Sequence, residues 1–452
     1  MNGDVTLHME VRLRPLGVDV DVSGLLGVLT PRDAPATAWL SSADEQAQWA
    51  ASGMMALTGH SQGPLLAPPR GLVSRVRWVE QILARNISDV PDLMAVLGER
   101  AAIGELQRGG QTSCGGGTRL LATQDGWLAL SLARPEDVQL IPAWLAEVCG
   151  HERYPDRVGD DLWDAIGHTV GRVPGAVLVD RGVLLGLAVS VLGETMVGGT
   201  GVSVTPMSSE LGRRTLDGRR DPPLVVDLSS LWAGPLCAHL LQLSGASVVK
   251  VEGSRRPDGA RRGPSAFFDL LHAGQHSVSV DFASAEECSQ LARLVCCADV
   301  VIEGSRPRAL ARHGITPKLV AEHGRARVWV SITAHGRHGT AGERVGFGDD
   351  CAVAAALVAT DSHQPVFCGD AIADPLAGIL AATATLSALT RESCVVVDVA
   401  LSSVSRVFGA PLNPYSADDD MRTDLSAVRP RARTPSGTAP AQGAHNELWL
   451  GK

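Results

Sequence analysis

Short, almost continuously apolar segments alternate with helical segments between residues 223 and 410, and this alternation predicts an α/β protein built on a parallel sheet covered by helices on both faces. A second observation adds a smaller α+β domain N-terminal to that sheet. A glycine-dense segment ahead of residue 118 is followed by a hairpin pattern, residues 119–123 and 127–132 around a Gln124-Asp125-Gly126 turn. The third observation is length: 452 residues exceed the growth limit of a single core, so two or three domains are expected.

The composition is globular, 45% hydrophobic and 20% charged. With 49 acidic against 40 basic residues the net charge is −9, and no long block of one sign occurs, which argues against nucleic acid or an anionic membrane as the main partner. A small anionic ligand would then need a local basic patch. Nine cysteines, an odd number, are scattered without zinc-type pairs, so a reducing compartment and no metal are expected. Residues 1–11 mix Asp4, His8 and Glu10 among apolar residues, and no uncharged apolar run reaches the ~18 residues of a membrane span. The expected location is cytoplasmic.

Taken in order, residues 1–108 carry the weakest pattern: 36–40 suggests a strand, 49–57 and 73–83 suggest helices. Residues 109–204 hold the glycine loop Gly115-Gly116-Gly117, the hairpin, helices at 142–149 and 160–170, and further short strands at 176–179 and 184–191. The glycine loop reads equally as a ligand-hugging segment and as an ordinary linker. Residues 205–222, with Arg213, Arg214, Arg219 and Arg220 among Ser, Gly, Asp and Pro, form the domain boundary. The large domain, 223–410, follows as strand 224–228, helix 235–243, strand 247–252, strand 277–281, helix 284–297, strands 299–303 and 328–332, helix 376–389 and strand 394–401. Residues 411–452, rich in Pro, Ala, Arg, Ser and Asp, read as a partly disordered tail.

Ligands of such sheets bind at the carboxyl ends of the strands. The first strand runs into Leu231-Trp232-Ala233-Gly234-Pro235, a turn whose free helix amides can receive an anion. Lys250, Arg255, Arg256, Arg261 and Arg262 follow the second strand, and Arg306, Arg308 and Arg312 follow the fourth; each group is either a phosphate site or a solvated basic loop. Asp374 stands directly before Pro375, at the start of a helix. There its carboxylate would cap the helix and stay ionised, which suits a plain N-cap and a nucleophile alike.

Several blocks stand in a recognisable order: residues 226–235, Gly245-Ala246-Ser247-Val248-Val249-Lys250-Val251-Glu252, residues 298–303 with Arg306-Pro307 and Arg312-His313-Gly314, Ser331-Ile332-Thr333 with Gly336 and Gly346-Phe347, and Ala373-Asp374-Pro375-Leu376-Ala377-Gly378. Over residues 223–403 this resembles the large, Rossmann-like domain of the family III CoA-transferases, a group that includes α-methylacyl-CoA racemases. Residues 109–195 resemble the family's small domain, here placed ahead of the large one rather than inserted in it. Residues 49–59 resemble the segment preceding the family's nucleophile, yet residues 63–71 contain no Asp, so residues 1–108 read as a degenerate remnant of a second large-domain copy.

The resemblance implies a CoA-transferase that uses coenzyme A or acyl-CoA as substrate, a carboxylic acid as acceptor and no permanently bound cofactor. It implies Asp374 as nucleophile, Gly115, Gly116 and Gly117 as a loop closing over it, and Trp232, Ala233, Arg255, Arg256, Arg312 and Arg344 as CoA contacts. It also implies either a homodimer or an internal pseudo-dimer. The chain departs from the family pattern at His272, Ala273, Gln275 and His276 and at Gly304-Ser305. A racemase would need Asp349 or His363 in place of the family's histidine; a catalytically silent CoA-binding scaffold is the remaining alternative.

Overall fold

A computed structural model describes residues 12–13, 18–19, 40–149, 154–155, 157–195, 201–207, 222–390, 394–409 and 425–451. Two short strands, β1 (Arg12–Leu13) and β2 (Val18–Asp19), pair antiparallel. The next elements are helices α1 (Ser42–Ser52), α2 (Leu72–Leu83), α3 (Leu93–Val96) and α4 (Glu99–Ile103). Ser41 caps α1 by accepting the Asp44 amide, Asp44 and Glu45 lie in its first turn, and Gly53 ends it at φ +89°. The strand expected at 36–40 falls, apart from Leu40, outside the described residues.

The small domain is a three-stranded antiparallel sheet of β3 (Thr118–Ala122), β4 (Trp127–Ser131) and β5 (Ala188–Val191), with helices α5 (Pro135–Cys149), α6 (Asp160–Val170) and α7 (Gly175–Leu185) enclosing their own core. Helix α7 corrects the expectation of strands at 176–179 and from residue 184. Leu178, Val179 and Gly182 are buried at helical spacing while Val177 and Leu184 face outward, and Gly186 ends the helix at φ +74°. A short apolar run carries too little periodicity to separate the two states.

The large domain is a seven-stranded sheet. Its strands are β6 (Val202–Pro206), β7 (Leu224–Leu228), β8 (Ser247–Gly253), β9 (His276–Val280), β10 (Val300–Glu303), β11 (Val328–Thr333) and β14 (Val395–Ala400), in the order β6-β14-β11-β10-β7-β8-β9. All neighbours are parallel except β6, which runs antiparallel to β14. Numbered along the chain, the parallel strands follow the doubly wound order 3-2-1-4-5-6, whose chain direction reverses between β7 and β10. Residues 205–206, expected in the linker, and 202–204, expected in the small domain, belong to this sheet; the remaining linker arginines lie outside the described residues.

Helices α8 (Ala233–Leu243), α9 (Ser265–His272), α10 (Ala285–Cys297), α11 (Pro307–Ala311), α12 (Pro317–His323), α13 (Gly348–Ala354), α14 (Ala373–Leu389) and α15 (Leu401–Gly409) accompany the sheet. Between α13 and α14 lies a hairpin of β12 (Val358–Asp361) and β13 (Gln364–Phe367). One face of the sheet shares its core with α1–α4, so residues 40–108 pack as part of the large domain and not as a unit beside it.

The C-terminal segment departs from the expected disordered tail. Residues 425–451 cross the surface as a strap ending in α16 (Asn446–Leu450). Arg433 pairs with buried Glu99 at 2.6 Å. His445 and Asn446 satisfy the open edge of β9: their groups receive the Ser277 and Ser279 amides at 3.0 and 2.8 Å and donate to the same residues' carbonyls at 2.9 Å. Covering an edge strand in this way blocks pairing with another chain. Such docking is residue by residue and leaves no periodic signal in the sequence.

Helices α8 and α14 cross closely because Gly378 has no side chain; a Cβ there would lie 2.5 Å from the Ala233 carbonyl oxygen. Gly378→Val is therefore expected to destabilise the protein by about 1–3 kcal/mol through overpacking, read as a lower urea midpoint. An unchanged midpoint would contradict the close crossing.

Candidate active site

The β7–α8 turn lies where the sheet order reverses, and a buried polar network stiffens it. Lys250 on β8 reaches Asp258 at 3.1 Å, Asp227 at 3.4 Å and the Ser229 carbonyl. Asp258 in turn accepts the amides of Leu231 and Ala260 at 3.0 Å. Leu231 is held at φ +72°, a conformation that costs a non-glycine residue on the order of 1 kcal/mol or more and persists only where its surroundings fix it. Trp232 is buried edge-on against Phe267, with ring centroids 5.5 Å apart, and Ala233 is buried beside it.

Four aspartates converge next to this turn, from α13 and from the loop entering α14. Asp374 is not the cap of its helix: α14 begins at Ala373, Ile372 occupies the cap position without a side-chain bond, and Asp374 is the second helical residue. Glycine at 348 lets α13 approach this loop closely, since a Cβ there would lie 2.4 Å from the Ala371 carbonyl oxygen and 2.7 Å from Asp374 Oδ2. Asp349 accepts the Ala371 amide at 2.9 Å and a bond from Ser113, fixing Ala371 at φ +43°. Asp350 accepts from the Ser131 hydroxyl at 2.8 Å and the Phe347 amide at 2.9 Å. Asp370, fully buried, is held side-on by Arg100 of α4, through Nε at 2.9 Å and through Nη2.

The electrostatics follow from burial. Desolvation, with Arg100 opposing and the other three carboxylates reinforcing, pushes Asp374 up to about 7. Burial and Asp370 push Asp349 up to about 6, and burial above all pushes Asp350 up to about 7. The expectation that position alone keeps Asp374 ionised is thus corrected: loss of water outweighs the helix end.

The glycine loop packs onto the same place. The Cys114 thiol lies 3.5 Å from the Gly369 carbonyl, and a Cβ on Gly115 would meet Arg100 Nη2 at 3.4 Å. Gly116, at φ +74°, donates its amide to Ser113 at 2.8 Å, whereas the Gly115 and Gly117 amides have no partner among the described residues. Arg344 is a strut: it pairs with Glu194 and donates to the Val189 carbonyl at 3.1 Å, tying the large domain to the small sheet. Exposed Arg255 pairs with Asp281 at 2.9 Å, and exposed Arg312 donates to His313 at 3.1 Å. Burial first, then the like charges of Arg308, of Arg134 in the small domain and of Arg256, lower the Arg306 pKa against the opposing Glu343; Arg308 pairs with Glu343 at 2.9 Å and Arg134 with Asp137 at 2.9 Å. His363 sits exposed in the β12–β13 turn, away from the cluster, at φ +65°. His335, Asp350 and Cys351 offer donor atoms within 4.8 Å of one another, a set in which a metal ion fits.

Arg100, Asp349, Asp350 and Asp370 were not singled out together by sequence pattern, because they come from separate segments. Only the adjacent Asp349-Asp350 pair, between Gly348 and a small-residue helix, carried a local signal.

Residues 221–429 match the family described as CoA-transferase family III. The chain is 30% identical over 192 residues to the succinate–glutarate CoA-transferase of Agrobacterium fabrum, covering 38% of this chain and 48% of that protein. Over 203 residues it is 33% identical to a probable fatty acyl-CoA transferase of Mycobacterium tuberculosis, covering 41% and 49%. A solved CAIB/BAIF family protein from Brucella suis is similar at 27% identity, 43% of this chain, 55% of that chain and a TM-score of 0.39. The chain spans about half the length of the curated relatives it matches.

An unfolded aspartate releases its proton near 3.8, whereas folded Asp374 keeps it to about 7. Stability from this group is therefore fully present below about pH 4 and is lost as the pH rises through 7. Asp374→Asn is expected to raise the thermal midpoint by a few degrees more at pH 8 than at pH 5; equal shifts at both would contradict the buried carboxylate.

Proposed function

Because residues 221–429 match CoA-transferase family III, we propose that the protein moves CoA from an acyl-CoA donor to a carboxylic acid acceptor, with Asp374 as the covalent carrier. The observation that carries this is the Asp374 carboxylate itself: half-buried in the first turn of α14, beside Asp349, Asp350, Asp370 and Arg100, and pushed up to about 7 by loss of water. At pH 8 it is ionised and desolvated, the state in which a carboxylate is most nucleophilic.

Asp374 attacks the donor thioester carbonyl, the carbon–sulfur bond breaks, and CoA thiolate leaves behind a mixed anhydride. The thiolate then attacks the aspartyl carbonyl, displacing the donor acid and leaving an aspartyl-CoA thioester. The acceptor carboxylate attacks this thioester to form a second anhydride. The released thiolate takes the acceptor's acyl carbon, and Asp374 is regenerated. The anhydride conserves the thioester's free energy where water would dissipate it. The unpaired amides of Gly115 and Gly117 are suited to the developing oxyanions.

The adenosine and phosphates of CoA belong on the Arg256, Arg306, Arg308 and Arg134 patch, with Trp232 and Ala233 at the first turn; Arg344, engaged as a strut, and Arg255 and Arg312 play lesser parts. No helix among the described residues is long and apolar enough to cross a membrane. The N-terminal region is a remnant copy that has merged into the core of the competent large domain, leaving the chain with one site. What supports this is a repeated device: Glu45 on α1 accepts the Gly71 and Ser74 amides that open α2, at 2.7 and 3.0 Å, as Asp349 on α13 accepts Ala371 ahead of α14.

A racemase reading retains Asp349 as its second acid/base group, because burial and Asp370 raise its carboxyl as burial raises Asp374. The two are separated by solvent deuterium: a racemase exchanges the α-hydrogen of a 2-methylacyl-CoA and a transferase does not. For the transferase, Asp374→Asn is expected to lower CoA exchange between acyl-CoA and free acid by about a thousandfold or more while the fold is retained. Undiminished exchange would sink the assignment.

A further inference from the structure

Arg100 is the cation held directly within the four-carboxylate cluster, and it is only half engaged. Nε and Nη2 grip Asp370 side-on, yet Nη1 has no hydrogen-bond partner among the described residues. The arginine side chain stays 34% exposed while Asp370 beneath it is at 0%. Two groups flank its exposed part. On one side is the glycine loop, where a Cβ on Gly115 would come to 3.4 Å from Nη2 and 3.7 Å from Nη1. On the other is the Trp232 ring, its centroid 5.8 Å from the guanidinium carbon. Arg100 also acts on Asp374, opposing the rise that burial causes there, and Asp370, which it grips, lies four residues before Asp374.

This geometry is selective. A guanidinium already oriented by one carboxylate presents its remaining N–H groups in a plane, and the ligand that matches a planar donor pair is a second carboxylate. Asp349, Asp350, Asp370 and Asp374 would otherwise repel an approaching anion. An acid acceptor must come up to Asp374 as a carboxylate, and Arg100, although shared with Asp370, is the cation in the cluster among the described residues that still has N–H groups to offer it.

We propose, resting on the transferase reading, that Arg100 binds the carboxylate of the incoming acid acceptor between Gly115 and Trp232. Arg100 is then a substrate-binding residue supplied by the N-terminal region, and Asp370 is the positioning residue that aims it. The absence of a side chain at Gly115 keeps the edge open, which gives that glycine a role separate from loop flexibility.

The test uses the full chain and two nucleophiles that meet the same aspartyl intermediate. Succinate probes the carboxylate route; hydroxylamine, neutral at pH 8, probes the intermediate without needing a cation, read as acyl-CoA-dependent conversion of Asp374 to its hydroxamate by peptide mass. Arg100→Lys keeps the charge and loses the fork. It is expected to raise the KM for succinate about tenfold or more, with hydroxamate formation reduced far less than succinate transfer. An unchanged KM for succinate would overturn the proposal. So would a parallel fall in succinate transfer and hydroxamate formation, because Arg100 would then act only through Asp374 or the fold. A wild-type protein that yields neither transfer nor hydroxamate with any donor would overturn the transferase reading and this proposal with it.

Discussion

The site depends on one constraint: four aspartates lose water together, and one guanidinium is held among them. Asp370 is fully buried and tolerated because Arg100 grips both of its oxygens; an unpaired buried charge would cost several kcal/mol. With that pair neutralised, Asp349, Asp350 and Asp374 lack an equivalent partner, and burial raises all three. Instability at Asp374 and the nucleophilic role proposed for it share this cause, since a carboxylate that resists ionisation strains the fold and is more nucleophilic once ionised.

The chain assembles this constraint from distant segments. Arg100 comes from the N-terminal helices, Ser113 and Cys114 from the entrance to the small domain, Asp349 and Asp350 from α13, and Asp370 and Asp374 from the loop into α14. The C-terminal strap reinforces the arrangement. Arg433 holds Glu99, the residue adjacent to Arg100 on α4. The N-terminal region thus contributes its share of one core and one site.

The parallel sheet was legible in the sequence because strands buried on both faces read as continuous apolar runs, and Gly, Pro and short polar turns separate them. Asp374 was legible through its spacing to Pro375 and Gly378. What stayed hidden was non-local. Helix α7 looked like strand because four apolar residues in a row suit either state. The strap looked disordered because its anchors, Arg433, His445 and Asn446, act singly. Arg100 lay in the least patterned region, and nothing nearby marks it as the partner of a residue 270 positions away. The cap role expected for Asp374 failed for the same reason: sequence shows a helix start but not the desolvation around it.

The central claim is that Asp374 exchanges an oxygen with the substrate acids. If the acceptor carboxylate attacks an aspartyl-CoA thioester and the resulting anhydride is cleaved at the acceptor's carbonyl, the bridging oxygen remains on the enzyme. The direct measurement is peptide mass spectrometry of Asp374 after turnover with an acceptor acid carrying 18O in its carboxylate. The account predicts 18O in the Asp374 side chain, dependent on acyl-CoA. Completed CoA transfer with no label on Asp374 would contradict it.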